Sequence, residues 1–179
     1  MKKRFIFRVM MLILILAAVI FALVLNLTDD ETAVKEGDQA PNLMLTQINA
    51  NNENDQIQLS DLKGKGVVLN FWATYCEPCE VQMPFLESLQ SEYKDQIEIV
   101  TINLDNSEIV AQQLIDKYNL TFNVLLDKRS EIMELYGVSP IPTTFFIRPD
   151  GVVQDVVVGG LTLEQLESHF KTIQPRSME

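Results

Sequence analysis

The chain has 179 residues, with 25 acidic against 14 basic side chains and a net charge of −11. All the acidic residues follow Thr28, together with only 10 of the basic ones, so segment 29–179 carries −15. That balance argues against nucleic acid as a partner, because phosphate contacts need a basic face; an acidic surface favours a basic protein partner or simply keeps the protein soluble. The length suits one ordinary domain plus an appendage.

The appendage comes first. Lys2, Lys3, Arg4 and Arg8 precede a stretch from Val9 to Thr28 that contains no charge. Those 20 residues, as a helix rising about 1.5 Å each, span roughly 30 Å, the thickness of a bilayer core. A cleaved signal peptide would have a shorter apolar region and a small-x-small cleavage site, whereas this run ends Leu25-Asn26-Leu27-Thr28. Residues 1–28 are therefore expected to form an uncleaved transmembrane signal-anchor. Positive charge before the span, with Asp29, Asp30 and Glu31 after it, places the N-terminus in the cytoplasm and the rest outside. In that compartment a dithiol becomes a disulfide unless something keeps it reduced.

Residues 29–40, "DDETAVKEGDQA", are polar and are expected to be a stalk. Leu43, Leu45 and Ile48 then alternate as a short strand, and Ile57 and Leu59 as a second, with the Asn-rich stretch Asn49 to Asn54 as the turn between them. Val67 to Trp72 is an unbroken apolar run but for Asn70, the pattern of a buried central strand. After the two cysteines, Val81, Phe85, Leu89 and Tyr93 recur every fourth residue, with Leu86 beside them, and predict an amphipathic helix that Pro84 should kink. A strand over 97–104 follows, then a helix that Ser107 can cap, carrying Val110, Leu114, Ile115 and Tyr118. Phe122 to Leu126 is the next strand, and a short helix opens at Ser130 and ends at Gly137. "TTFFIR" and "VVQDVVV" are two more strands joined by the turn Pro149-Asp150-Gly151. In the last helix Thr162 and Gln165 form a capping box, with Leu163, Leu166, Phe170 and Ile173 on one face. Strands alternating with helices in the middle imply an α/β domain with parallel strands, to which the final hairpin adds an antiparallel edge.

The two cysteines, Cys76 and Cys79, stand in "FWATYCEPCE", where the chain leaves the buried strand and begins a helix. There a sulfur meets backbone N–H groups and the positive end of the helix dipole, both of which favour thiolate. Cys79, one turn further in, can close a disulfide onto Cys76, and Pro78 suits the first helical turn. Cys76 is thus expected to attack and Cys79 to resolve. A zinc site needs about four ligands, and the chain offers no third cysteine and one histidine, His169, on the polar flank of the last helix as a surface residue. No metal and no cofactor are expected. A purely structural disulfide across two residues would constrain the unfolded chain very little. Further on, "VSPIPTTFF" puts Pro142 directly before a strand, where the X-Pro bond is either cis in a fixed turn or trans at a strand start.

"NFWATYCEPC", Pro84 and "VSPIPTTF" together resemble the thioredoxin fold, specifically the membrane-anchored TlpA/ResA-like thiol-disulfide oxidoreductases. The likeness covers about 41–174 as the thioredoxin-like domain with an N-terminal hairpin extension, leaving 175–179 as a tail. It implies that Pro142 is the cis-proline facing Cys76, where with Ile141 and Trp72 it holds an incoming peptide. It also implies the function of reducing the CxxCH disulfide of apocytochrome c before haem attachment, with electrons supplied across the membrane by a CcdA-like thiol donor. A general reductase, or one serving spore-coat or cell-wall proteins, is the alternative client class. A copper chaperone on this fold would space its cysteines by three and add a histidine, and a peroxidase would have Thr where Ala73 stands. One position departs from the pattern: three residues after the second cysteine, where ResA-like proteins carry glutamate, this chain has Gln82. Glu80, one turn after Cys76, could take over an acid–base role there or be an ordinary surface charge.

Overall fold

The computed structural model describes residues 2–27, 34–48 and 56–175. Thr28 and residues 29–33 of the expected stalk, the turn Asn49 to Asn54, and residues 176–179 of the tail lie outside the described residues. The chain divides into two compact units, Met1–Ala33 and Val34–Glu179.

The first unit is helix α1, Lys2–Leu27. Its side chains are described only as far as Phe21, and among the described residues no helix is long and apolar enough to cross a membrane.

The second unit is built on a five-stranded sheet. Its strands are β3 (Gly66–Trp72), β4 (Ile97–Asn103), β5 (Asn123–Leu126), β6 (Thr143–Ile147) and β7 (Val153–Val158), in the order β5-β4-β3-β6-β7. β3, β4 and β5 are parallel, while β6 runs antiparallel to β3 and β7 antiparallel to β6. The helices are α2 (Glu77–Tyr93), α3 (Glu108–Tyr118), α4 (Glu131–Leu135) and α5 (Leu163–Ile173). This is a thioredoxin-like α/β fold. A two-stranded hairpin of β1 (Met44–Thr46) and β2 (Gln56–Gln58) precedes the sheet. It docks on the β5 edge through a bridge from Gln47 to Leu125 and a bond from the Ile48 N–H to the Val124 carbonyl, 2.9 Å.

Every residue of β3 is buried, as a strand covered on both faces must be. Its side chains alternate between two cores. Val67, Leu69 and Phe71 join Leu43, Ile132, Tyr136 and Phe145 on the side of α4 and the hairpin. Val68 and Trp72 join Met83, Leu86, Leu166 and Phe170 on the side of α2 and α5. Gly66 opens the strand because the Ile173 carbonyl leaves no room for a Cβ there.

Three expectations change. Residues 34–40, the described part of the expected stalk, are bound to the domain: Val34 N–H donates to Tyr136 O, Gly37 N–H to Val153 O, and Ala40 N–H to Gly151 O. Polar composition says nothing about backbone pairing, which is how this stretch is held. On α2 the buried face is Cys79, Gln82, Met83, Leu86, Leu89 and Tyr93, whereas Val81 is 58% exposed. The helix is rotated so that the second cysteine, rather than Val81, faces the core. Ser107 occupies the N-cap of α3 but its side chain makes no capping bond, whereas α4 opens at Ser130 as expected. At α4 the buried Asp127 carboxylate accepts the N–H groups of Glu131, Ile132 and Met133 at 2.9–3.0 Å. The Thr162–Gln165 capping box of α5 is present in both directions.

Candidate functional site

β3 delivers the chain into a tight turn, in which Cys76 N–H donates to Ala73 O at 3.2 Å. Cys76 is then the N-cap of α2, in extended conformation, and its Sγ accepts the N–H of Cys79 at 3.3 Å. Pro78 lies in the first turn, where a missing N–H costs nothing. Cys76 and Cys79 are joined as a disulfide, S–S 2.01 Å. Their exposures differ: Cys76 keeps 8% and Cys79 none. A sulfur at the head of a helix, accepting a backbone N–H, has a stabilised thiolate; a sulfur sealed in the core can meet only the partner beside it. The arrangement can carry dithiol–disulfide exchange, with entry at Cys76.

The Ile141–Pro142 peptide is cis. Phe71 pairs with Thr143 across β3 and β6, so Pro142 stands at the end of the sheet from which Cys76 emerges. Pro142 is buried and Ile141 half-buried, and the Pro142 carbonyl accepts the N–H of Gly159 at 2.7 Å.

Trp72, expected at the client-binding surface, is fully enclosed and packs in the α2-side core with Cys79 and Met83. It is the last residue of a strand covered on both faces and cannot touch a client. The aromatic beside the entry sulfur is Tyr75, 75% exposed. Its adjacency to Cys76 was visible in the sequence, but Trp72 carried the aromatic expectation.

Gln82 is 1% exposed. Its Oε1 accepts the N–H of Leu161 at 2.9 Å, and its Nε2 approaches Thr144 Oγ1 at 3.5 Å. Thr144 Oγ1 also accepts the Asn70 amide at 2.8 Å. The amide thus ties α2 to the loop before α5 and brings it against β6, the strand that follows Pro142. Leu161, Thr144 and Asn70 carried no local signal, because the contacts link residues 62 and 79 positions apart.

Glu80 turns away from acid–base duty. Its Oε1 accepts both Lys117 Nζ at 2.7 Å and the Tyr118 hydroxyl at 2.8 Å. The bond from Lys117, followed by that from Tyr118, holds its carboxyl below the ordinary carboxylate range, and the same pairing raises the Lys117 ammonium. His169, expected as a surface residue, is half-buried: its ring stacks on Phe146 at 4.4 Å and its Nδ1 lies 3.1 Å from Asp155 Oδ2.

An open groove of about 470 Å³, which holds neither cysteine, is lined by Glu77 and Pro78, the two residues between them, with Val81, Phe85, Gly160, Leu161 and Thr162. Gly160 packs against Pro78, whose Cβ would lie 3.4 Å from a Cβ at position 160. A larger cleft, about 620 Å³, is bordered by Thr46, Gln56, Lys128 and Arg129 and holds neither cysteine.

Residues 36–156 match the AhpC/TSA family. The chain is 47% identical over 176 residues to a thiol-disulfide oxidoreductase ResA of Oceanobacillus iheyensis, covering 98% of this chain and 92% of that protein. It is 41% identical over 175 residues to one of Bacillus thuringiensis, covering 97% and 99%. Among solved structures, a putative thiol:disulfide interchange protein DsbE from Chlorobium tepidum superposes with a TM-score of 0.71 at 30% identity, over 79% of this chain and 99% of that one. StoA from Bacillus subtilis does so with a TM-score of 0.62 at 28% identity, over 74% and 98%.

Proposed function

The chain belongs to the AhpC/TSA family and is a thiol-disulfide oxidoreductase of the ResA kind, and from that premise we propose that it is a membrane-anchored reductant whose client is the CxxCH disulfide of apocytochrome c. The observation that carries the direction of attack is the asymmetry of the pair: Cys76 at the helix head with some exposure, Cys79 with none.

In the reduced protein the Cys76 thiolate attacks one sulfur of the client disulfide. That S–S bond breaks, a Cys76–client disulfide forms, and the second client sulfur leaves as thiolate. Cys79, once deprotonated, attacks Cys76 Sγ; the Cys76–Cys79 bond forms and the client's remaining sulfur leaves. Two electrons pass from the protein dithiol to the client, and a CcdA-like transmembrane thiol donor restores the dithiol. Pro142 and Ile141, at the same end of the sheet, are the client-positioning residues.

The anchor reading is supported by the charge-free run Val9 to Thr28, the basic residues before it, and exposed apolar side chains such as Leu12, Leu14 and Leu16 on α1. Such a surface favours lipid over water. On this reading the basic residues before the run keep the N-terminus in the cytoplasm and the redox domain lies outside.

The test is Cys79→Ala expressed in a cell that makes c-type cytochromes. The variant is expected to accumulate a mixed disulfide between Cys76 and apocytochrome c, identified by mass after thiol quenching. Trapping of another envelope protein alone would remove the client and leave the chemistry standing; trapping by Cys76→Ala instead would reverse the two sulfurs. A reductant also requires a low potential, so a titration is expected to give a value nearer about −270 mV than about −120 mV.

A further inference from the structure

We propose that Asp105 is a positioning residue for disulfide exchange, acting through Thr74 on the seating of Cys76 at the head of α2. Asp105 lies just beyond β4 and is 5% exposed. Its two carboxylate oxygens take two donors from one residue: Oδ2 accepts the Thr74 N–H and Oδ1 the Thr74 hydroxyl, each at 2.9 Å. The carboxylate is itself fixed, because Oδ2 also accepts the Asn103 amide at 2.7 Å while Asn103 Oδ1 accepts the Asp105 N–H at 3.1 Å. Between the strands, Leu104 N–H donates to Trp72 O at 2.9 Å and keeps the two ends level.

A buried carboxylate is costly unless its lone pairs are satisfied by good donors. Here the donors come from its own strand end and from the single residue that leads into the redox turn. That turn, Ala73 to Cys76, has one backbone bond of its own, at 3.2 Å. The bond it must preserve, Cys79 N–H to Cys76 Sγ, is 3.3 Å, and it is directional, so rotating the turn that carries Cys76 weakens it. Losing it withdraws a donor from the thiolate and raises the thiol pKa. The clamp therefore holds Cys76 where the helix head can stabilise its charge.

Replacing Asp105 has two opposed effects: it frees the turn, and it removes a nearby negative charge, which by itself favours thiolate. Substitutions at Thr74 separate them, because they leave Asp105, Glu77, Glu80 and the Lys117 that pairs with Glu80 all in place. The experiment rests on Cys76 being the attacking sulfur and uses the full-length protein in detergent, reduced with dithiothreitol. Iodoacetamide alkylation is followed over roughly pH 5 to 10, bracketing the ordinary thiol pKa, with the modified cysteine identified by mass. Thr74→Ser keeps the hydroxyl and is expected to reproduce the wild-type profile. Thr74→Val is expected to shift it upward, leaving roughly three- to tenfold less thiolate at pH 7, half to one pKa unit. Thr74→Ala carries the same expectation and stands in if the valine does not seat. A Thr74→Val or Thr74→Ala profile superimposed on wild type overturns the proposal, as does a Thr74→Ser profile displaced as far as the others. Alkylation at Cys79 in the wild type overturns the assignment of the attacking sulfur instead, and is read directly from the masses.

Discussion

The two faces of the central sheet are filled differently. On the α4 side, Phe71, Tyr136 and Phe145 pack tilted or edge-on with ring centroids 5.1–5.8 Å apart. The buried polar side chains there, Thr143 and Asp127, stand at strand ends with their bonds made. On the α2 side, Asn70, Thr101, Asn103, Thr144 and Gln82 are all buried along with the disulfide. Among the described residues, Asn70 Oδ1 and Trp72 Nε1 on that side have no hydrogen-bond partner. An unpaired buried polar atom costs about 1–3 kcal/mol. Both faces supply packing, but the α2 face also carries a deficit of unpaired polar atoms beside the redox pair, as expected where local rules yield at a functional site.

That difference can be tested in graded steps. The largest effect is expected on the aromatic side: Phe145→Ala removes a ring that is 2% exposed and should lower stability by about 3–5 kcal/mol in denaturant unfolding. The Cys76 alkylation profile of the folded variant should not move. A shift in that profile would mean that the faces are coupled.

Gln82→Glu acts on the other face. One oxygen of glutamate can still accept the Leu161 N–H, so the tie to the loop survives, but a buried negative charge now lies on the Cys79 face of α2. A second negative charge on the cysteines is then penalised, and the Cys76 pKa is expected to rise by about one unit, roughly 1.4 kcal/mol. Thiolate absorbance against pH measures this directly. An unchanged value would show that position 82 serves the fold alone.

Asn70→Leu with Thr144→Val removes an unpaired acceptor and its bonded partner together. Gln82 Nε2 loses only its 3.5 Å approach to Thr144 Oγ1, at the limit of a hydrogen bond, and replacing both members of a buried pair by apolar groups of similar shape is close to neutral. Stability is expected within about 1 kcal/mol of wild type, far from the Phe145→Ala loss. A large loss would place the polar cluster among the elements that hold the fold.

The smallest effect belongs to the surface pair Glu80–Lys117, whose carboxylate partner is 32% exposed. Glu80 titrates below its usual 4.5, chiefly through the Lys117 bond. A carboxyl whose folded pKa is lowered adds stability above the unfolded value, and that stability is lost as pH falls through the folded one. Acid unfolding of Glu80→Gln should therefore be flatter than wild type from about pH 4.5 downward, with no difference at neutral pH beyond the lost ion pair. An equal slope in both proteins would leave the pair without a role.

What the sequence determined by itself is what local chemistry can encode. The Cys76–Cys79 spacing at a strand-to-helix junction, the Thr162–Gln165 capping box, the Pro149-Asp150-Gly151 turn and the apolar run of β3 each state their structure within a few residues, and each stands where it was read. Only the tertiary structure decided which way those elements faced. Periodicity on α2 favoured Val81 as a core residue, yet the helix turns Cys79 and Gln82 to the core and Val81 outward. The family resemblance implied Trp72 as a client contact, and packing in the α2-side core with Cys79 and Met83 encloses it. β6 is separated from β3 by 70 residues and two intervening strands, and only its pairing beside β3 brings Pro142 to the cysteines. The Asp105 clamp depends likewise on two parallel strands ending level. Local signals fix the conformation of a segment, because capping and turn bonds span only a few residues; which side of it is buried depends on strand pairings and packing contacts that no short stretch contains.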